Sequence, residues 1–496
     1  MLFGFLTFGM SYSGFVKENV VAPILKQIAN SEKNAVDQIV NAKTEGKKYL
    51  NKKSAVTNLV APSPTVTITN AVAVNGGGNA VPGSQLDFTI TISSAGADAT
   101  GITFQDILDS NLTFVPGSLK VTPIATDDSY NCIGNVGITL NTAQGVLAND
   151  VSPDGTALTA VVSTNVTHGT LSLATNGSFT YNPTAGYSGT DSFVYTLTST
   201  NGKTSTATVN ITVSSPIYFV NSSVATNGNG TLATPFKFVE NVTGTGSNPI
   251  FIYTGGANSG TALTLSDNQK VIGQGAITPL ATILLITVPT YSNALPSTGG
   301  TNPNFNILNL KLNNNIQGIT LSGTNATMNG ANVGSLKVRD VTITGGTATA
   351  LNITSGGALD CIFTSISTNG ASKGISVNNS TGSIQITGSG STGGSGGTIQ
   401  NAGTRGAEFI QCTNVSLKNM IFTNANTGSP CANPATDNSF CNAAIHLKTV
   451  TGVTLDNISI TGTNNTTGIN INNVSNFALL NSTLTGCGSA NGGNPD

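Results

Sequence analysis

The chain has 496 residues, enough for roughly three or four domains at about 100 to 200 residues each. Only 8 % of its residues are charged, against about 25 % in an ordinary soluble protein. Because nucleic-acid binding needs clustered Lys and Arg, this composition excludes a nucleic-acid partner. Apolar residues make up 38 % of the chain, which is enough for packed cores and argues against disorder.

Charge divides the chain near Lys53. Residues 1–53 contain eight Lys and four acidic residues, a net charge of +4, whereas the rest of the chain carries 11 basic and 17 acidic residues, a net charge of −6. The following stretch, residues 54–64, contains Pro62 and Pro64. Proline biases the preceding residue toward extended backbone, so we interpret 54–64 as a linker.

Residues 1–14 hold an apolar run, Leu2 to Met10, followed by the small residues Ser11 and Ser13. This pattern predicts the remnant of an export signal, and with the rest of the chain it favours export. The alternative is an ordinary apolar terminus, since the charged residues that normally precede such a run are missing. No stretch reaches the ~18 apolar residues of a membrane span, so no transmembrane span is predicted.

Residues 15–53 show the spacing of an amphipathic helix, with apolar residues three and four positions apart. A short coiled coil for self-association is one interpretation. The other, which we favour, is a helix that packs on its own chain, because Glu32 interrupts an apolar stripe of only two heptads. The stripe consists of Val21, Leu25, Ile28, Ala35, Ile39 and Ala42.

Residues 65–123 alternate apolar and polar residues, as half-buried strands do, with Gly and Pro at the turns. The run GSQLDFTITISSAGADATGITFQDILDSNLTFVPGSLKV, from Gly83 to Val121, resembles the conserved repeat domain of bacterial surface and cell-wall proteins. That resemblance implies a small sandwich of immunoglobulin (Ig) type.

Residues 124–214 alternate in the same way over about seven short strands, the number expected of a sandwich. The stretches GVLANDVSPDG and GTLSLATNGSFTYNPTAGYSGTDSFVYTLTS resemble the cadherin-like tandem Ig repeats of secreted bacterial adhesins. The resemblance implies calcium at the acidic turns, since Ca²⁺ takes carboxylate and carbonyl oxygens on flexible loops. Solvated turn carboxylates are the alternative. The implied ligands are Asp127, Asp128, Asn149, Asp150, Asp154 and Asp191.

Residues 217–496 repeat one pattern: apolar, any, apolar, any, Asn or Asp, two of any kind, apolar. Five copies are clear and two are degraded, and successive copies start 23 to 38 residues apart. Coils of this length with Gly and Asn turns predict a parallel β-helix in which apolar residues stack inside and turn Asn side chains form ladders. The copies start at Phe305, Leu336, Leu359, Ile384, Val415, Val453 and Phe477.

This region resembles the pectin-lyase-like superfamily, and IYFVNSSVATNGNGTLATPFKFVENV resembles its first turn and cap. The predicted fold is therefore all-β: two Ig-like β-sandwiches followed by a right-handed parallel β-helix, with a short N-terminal α-helix. No capping segment follows the last copy, so we expect the β-helix to be incomplete at its C-terminal end.

The cysteines favour an oxidising exterior. Cys431 and Cys441 lie ten positions apart in the insertion 428–441, and we predict that they form a disulfide; free thiols are the alternative. Cys361 occupies an inward position of the repeat. The sequence leaves the pairing of Cys132, Cys361, Cys412 and Cys487 open.

Many β-helices of this superfamily cleave acidic polysaccharides, but the sequence offers no adjacent pair of acids for such chemistry. The nearest constellations are Arg339 with Asp340 and Arg405 with Glu408, and the single histidine of the region is His446. We interpret them as solvated strand residues, so no catalytic residue and no cofactor besides calcium is predicted.

The favoured function is that of a secreted bacterial adhesin or surface fibre, with the Ig-like domains as a spacer and the β-helix as a platform for a glycan or another cell-surface ligand. A polysaccharide lyase or glycoside hydrolase on the same β-helix is the alternative, and a purely structural spacer is the third interpretation.

Overall fold

The structure is a computed structural model. It describes residues 6–16, 55–57, 65–74, 85–95, 103–105, 112–114, 120–255, 262–425, 427, 442–462 and 467–487, and every structural statement refers to these. The chain divides into two compact units. The first consists of residues 1–130, 139–181 and 190–212, and the second of residues 131–138, 182–189 and 213–496.

The first unit opens with an antiparallel sheet whose strand order is β3-β4-β1-β6, with β7 also paired to β1; β2 pairs with β5. The strands are β1 (Leu6–Val16), β2 (Ala55–Thr57), β3 (Thr65–Val74), β4 (Gln85–Ala95), β5 (Thr103–Gln105), β6 (Leu112–Phe114) and β7 (Lys120–Val121).

Strand β1 changes the predicted boundaries at the N-terminus. It pairs with β4 along its length, with Tyr12 opposite Phe88, so residues predicted as an export-signal remnant lie in the same sheet as β3 and β4. Phe15 and Val16, placed in the predicted helix, also belong to this strand. The rest of the predicted helix 15–53 lies outside the described residues. The predicted linker contains strand β2, so it is not continuous coil.

A seven-stranded sandwich follows, with one sheet in the order β10-β13-β14-β8 and another in the order β11-β12-β9. Alternation decides its core: Phe193, Tyr195 and Leu197 on β13 are fully buried between exposed or half-buried neighbours. The four-plus-three arrangement is that of an Ig-like domain, as predicted. The strands are β8 (Asp128–Cys132), β9 (Ile138–Leu140), β10 (Leu158–Thr164), β11 (Gly169–Leu173), β12 (Phe179–Pro183), β13 (Gly189–Ser199) and β14 (Thr204–Val213).

The second unit contains twenty strands, β15 to β34, in a single coiled sheet in which the strand pairs are parallel. This is the predicted parallel β-helix. Its one α-helix is α1 (Leu280–Leu284) and its one 3₁₀ helix is Val239–Asn241, both within the described residues. Its main core is a continuous stack of buried apolar side chains, mostly Ile, Leu, Val and Phe.

The first nine strands of the β-helix have two to five residues each: β15 (Tyr218–Val220), β16 (Ile250–Ile252), β17 (Ala262–Thr264), β18 (Lys270–Gly273), β19 (Asn304–Phe305), β20 (Ile307–Asn309), β21 (Asn315–Gln317), β22 (Thr320–Gly323) and β23 (Thr327–Ala331). Strand β24 (Leu336–Gly345) has ten. The later strands include several of about 14 residues: β25 (Leu351–Thr354), β26 (Gly357–Asn369), β27 (Lys373–Ile386), β28 (Gly397–Gln400), β29 (Arg405–Lys418), β30 (Met420–Thr423), β31 (Ala443–Asp456), β32 (Ser459–Thr461), β33 (Thr467–Leu480) and β34 (Thr483–Thr485).

The register of the coils corrects the predicted alignment of the repeats. Leu336 pairs with Leu359 as expected, but Ile384 pairs with Cys361, two positions further on. Ile384 then pairs with Val415 as the sequence predicts. The first copy is also displaced, because Phe305 pairs with Leu321 on β22 rather than with the copy at Leu336.

Asparagine ladders form at the turns, as predicted. Asn419, Asn457 and Asn481 adopt positive φ values of 59°, 54° and 50°, a region that Asn tolerates better than most residues. The Nδ2 of Asn457 donates to Oδ1 of Asn419 at 2.7 Å. Asn419 is completely buried, and its own Nδ2 donates to the carbonyls of Thr387 and Gly390, each at 3.1 Å.

Replacing this buried ladder residue should destabilise the β-helix. We expect Asn419→Ala to lower the free energy of unfolding by about 2 kcal/mol, since it removes the buried amide that donates to two backbone carbonyls, takes away the acceptor of Asn457 and puts an alanine at positive φ. The matched control is Asn476→Ala, because Asn476 also has positive φ but is exposed. Urea unfolding measures both variants. Equal losses in the free energy of unfolding would contradict the stabilising role of the ladder.

Cys361 is buried at an inward position, as expected, and Cys132 and Cys412 are also buried. These three are free thiols in the structure. The predicted disulfide between Cys431 and Cys441 lies outside the described residues and stays a prediction.

Candidate functional site

A column of polar side chains runs across the coils of the β-helix. The column consists of four residues, one on the long strand of each of four successive coils. Ser376 on β27 pairs with Glu408 on β29, Glu408 pairs with His446 on β31, and His446 pairs with Asn470 on β33. In these strands the flanking positions point into the apolar core, so the column lies on the opposite face. All four residues are nevertheless buried, with exposed fractions of at most 6 %.

Two cations hold the carboxylate of Glu408. The Nζ of Lys373 lies 2.7 Å from Oε1, Arg405 pairs with Oε2, and the Ser376 hydroxyl donates to Oε1 at 3.0 Å. Burial alone would raise the pKa of Glu408, but the hydrogen bond from Lys373 and the charges of Lys373 and Arg405 outweigh it and hold the pKa below its ordinary value. Glu408 is therefore ionised at neutral pH.

His446 lies beside this ionic cluster without joining it. Both ring nitrogens are buried, and neither has a hydrogen-bond partner among the described residues. Burial, together with the positive charge of Arg405, lowers the pKa of His446 to about 4. The imidazole is therefore neutral at pH 7.

An open groove of about 500 Å³ lies over the ionic cluster. We call it the cationic groove. Three basic residues, Lys373, Arg405 and Lys448, line it against the one carboxylate of Glu408. The remaining lining residues are Thr354, Ser355, Asn378, Asn379, Ile410 and Gln411.

The interpretation of Arg405, Glu408 and His446 as solvated strand residues is wrong. Their exposed fractions are 9 %, 1 % and 0 %. Arg339 and Asp340, in contrast, are half-buried. Strand alternation predicts on which face of the sheet a residue lies. It does not predict whether neighbouring side chains cover that face, as they do for these three residues.

The six residues implied as calcium ligands do not converge on one point. Asp154 accepts hydrogen bonds from Ser152 and Thr156 in its own turn and from Asn201 in the loop between β13 and β14. Asp191 accepts from Thr167, His168 and Tyr181. These bonds outweigh the effect of burial and lower the pKa of both carboxyls, that of Asp154 to about 2. Each serves as a structural brace of a different turn.

Asp127 and Asn149 also have local partners. Asp127 accepts a hydrogen bond from the amide of Thr208 at 2.7 Å, and Asn149 Nδ2 donates to the carbonyls of Thr126 and Asp127. Within the described ranges, no group of three or more His, Cys, Asp or Glu residues could hold a metal ion.

Asp128 and Asp150 are the exception, since they form an uncompensated acidic pair. Asp128 is 9 % exposed, and its Oδ2 is buried without a hydrogen-bond partner. Burial and the charge of Asp150 raise the pKa of Asp128 to about 7, and burial raises the pKa of Asp150 to about 6. The hydroxyl of Tyr195 donates to Asp150, with both carboxylate oxygens within 3.0 Å.

Comparison with known proteins gives one result. Residues 120–212 match the family model of the bacterial Ig domain, which agrees with the seven-stranded sandwich. No curated protein and no solved structure matches the chain.

The architecture therefore combines a bacterial Ig-like domain with a parallel β-helix, and a bacterial Ig domain indicates a surface-exposed protein. The described residues include no helix of sufficient length and hydrophobicity to cross a bilayer.

Proposed function

We propose that this chain is a bacterial surface adhesin in which the β-helix binds a glycan or another cell-surface ligand. The observation that carries the proposal is the cationic groove, whose charged residues are fixed by a buried ion cluster on a rigid stack of long strands. Sites built on strands hold their side chains more precisely than sites on loops. The bacterial Ig domain supports a surface location.

The Ig-like domains would act as a spacer. Strands β8 to β14 pack as two sheets around a buried core, and hydrogen bonds to Asp154 and Asp191 hold loops of this sandwich in place. Export and self-association through residues 15–53 remain predictions of the sequence.

We infer a binding role for the groove in preference to cleavage of a polysaccharide. Glycoside hydrolysis needs two carboxyl groups across the bond to be cleaved. Among the described lining residues Glu408 is the one carboxylate, and Lys373 and Arg405 already occupy it.

The test uses the purified full chain, labelled with a fluorophore, on bacterial and eukaryotic cells and on a glycan array. Saturable binding that excess unlabelled chain displaces is the expected result. Absence of binding both to cells and to the glycan array would contradict the adhesin proposal and favour the structural spacer. Release of reducing sugar or unsaturated product from pectin or alginate would support the enzyme alternative.

Calcium stays a proposal for the site beside Asp128, at the start of β8, and Asp150, in the loop before β10. A cation there would relieve the repulsion between the buried carboxylate of Asp128, which has an unpartnered oxygen, and the half-buried carboxylate of Asp150. If calcium binds, the midpoint of thermal unfolding of the full chain should rise in millimolar CaCl₂ relative to EGTA, and Asp128→Asn should abolish the difference. Equal midpoints in CaCl₂ and EGTA would dispose of the ion.

A further inference from the structure

We propose that the cationic groove binds the sulfate group of a sulfated glycan, with Lys448 and Lys373 as the sulfate-binding residues. The inference rests on the proposed binding function and adds the chemical class of the ligand.

Charge is the first argument. The groove collects three of the nine basic residues that the sequence has from residue 217 onward, namely Lys373, Arg405 and Lys448. Glu408 offsets one of them, so the described lining carries a net charge of +2 in a chain whose overall charge is −2. A groove with a net positive charge attracts negatively charged ligands.

Lys448 is the second argument. Within the described part of the chain it has neither a carboxylate partner nor a hydrogen bond from its ammonium group. Lys418, on the preceding coil, pairs with Asp456, whose carboxylate lies 3.5 Å from its ammonium group. No carboxylate of the described residues therefore neutralises Lys448, and its ammonium group is available to a ligand in the groove.

The type of cation selects the anion. A planar carboxylate is best matched by the bidentate fork of arginine, but Arg405 directs a guanidinium nitrogen at Glu408. The ammonium groups of Lys373 and Lys448 are point charges with three rotatable donors each; Lys373 gives one donor to Glu408 and keeps two, whereas Lys448 keeps all three. They suit a tetrahedral sulfate, whose three terminal oxygens can be reached from different sides.

Asn378 indicates that the sulfate is carried by a sugar. Its Oδ1 is buried without a hydrogen-bond partner, although Asn378 lines the groove. An amide oxygen accepts hydrogen bonds, so it cannot bind the sulfate. Because this oxygen is covered by protein, a small rotation of the Asn378 side chain is needed before it can accept from a ring hydroxyl in the groove. Orphaned acceptors are rare in native proteins, and a ligand hydroxyl would satisfy this one.

The experiment measures binding of the full chain to immobilised dextran sulfate, with dextran and polygalacturonate as the neutral and carboxylated controls. We expect Lys448→Gln to weaken dextran sulfate binding at least fivefold and to reduce the slope of log Kd against log salt by about one. Lys448→Arg should bind within about twofold of the wild type, because it keeps the charge. The matched control is Lys311→Gln, an exposed lysine outside the groove, which should leave binding unchanged.

Three outcomes would overturn the proposal: equal binding by Lys448→Gln and the wild type, equal losses in Lys448→Gln and Lys311→Gln, or polygalacturonate bound as tightly as dextran sulfate. If the chain binds cells or another glycan but not dextran sulfate, this inference fails and the proposed adhesin function stands. If it binds neither cells nor any glycan, the proposed function itself fails.

Discussion

Glu408→Gln should lower the free energy of unfolding of the β-helix by about 4 kcal/mol. The substitution keeps the size of the side chain but removes the charge that compensates Lys373 and Arg405. Arg405 is only 9 % exposed, so its guanidinium would remain in a buried site without the negative charge of Glu408. Removing one partner of a buried ion pair typically costs about 3 to 5 kcal/mol.

The matched control is Asp360→Asn, which also converts an ion-paired acid to its amide. Asp360 pairs with Arg339 at 2.5 Å, but its side chain is 55 % exposed, and exposed pairs contribute about 0 to 1 kcal/mol. Urea unfolding followed by circular dichroism would compare the two variants. A loss below 1 kcal/mol for Glu408→Gln would show that the cluster does not depend on its charge.

The fold was predictable from the sequence because two local rules decide it. Strand alternation fixes which side chains of β13 enter the sandwich, and Phe193, Tyr195 and Leu197 are buried accordingly. Turn chemistry places Asn at the positive-φ positions of the coils, where Asn419 and Asn457 stack. Neither rule depends on distant parts of the chain.

Register was less predictable, and the reason is the period of a strand. A slip of two residues keeps every apolar side chain on the inner face, so the pattern cannot distinguish Ile384 opposite Leu359 from Ile384 opposite Cys361. Strand β1 was missed for another reason. Leu6, Phe8, Met10 and Tyr12 alternate with small or polar residues, but the apolar run was interpreted as an export signal, and its pairing with β4 joins residues 70 or more positions apart.

Only part of the candidate site could be predicted from the sequence. Arg405 and Glu408 are three positions apart and could be singled out, but nothing in their spacing places Lys373 or Lys448 beside them. Coils of different length bring these residues together, since Ser376 to Glu408 spans 32 positions and Glu408 to His446 spans 38. The burial of the column depends on tertiary packing that no local pattern encodes.

The Asp128–Asp150 pair should make the Ig-like domain more stable in mild acid than at pH 8. The folded-state pKa of Asp128 is raised from its ordinary 3.8 to about 7, so the stability linked to its proton is present below pH 4 and is lost as the pH rises through 7. Asp154 and Asp191 have the opposite sign, because their lowered pKa values cost stability as the pH falls below 4. The stability maximum is therefore expected near pH 4 to 5.

Asp128→Asn removes a buried charge and its repulsion by Asp150, and we expect it to stabilise the domain by about 3 kcal/mol at pH 8, since one pKa unit corresponds to about 1.4 kcal/mol. At pH 4, where the wild-type carboxyl is protonated, the variant should gain little. Hydrogen exchange of the peptide covering β13 in the full chain, measured in EGTA at both pH values, reports this local stability. Asp154→Asn is the contrasting variant and should destabilise the same strand at pH 8. A gain for Asp128→Asn of equal size at pH 4 and pH 8 would contradict the assignment, because repulsion between carboxylates requires both to be ionised.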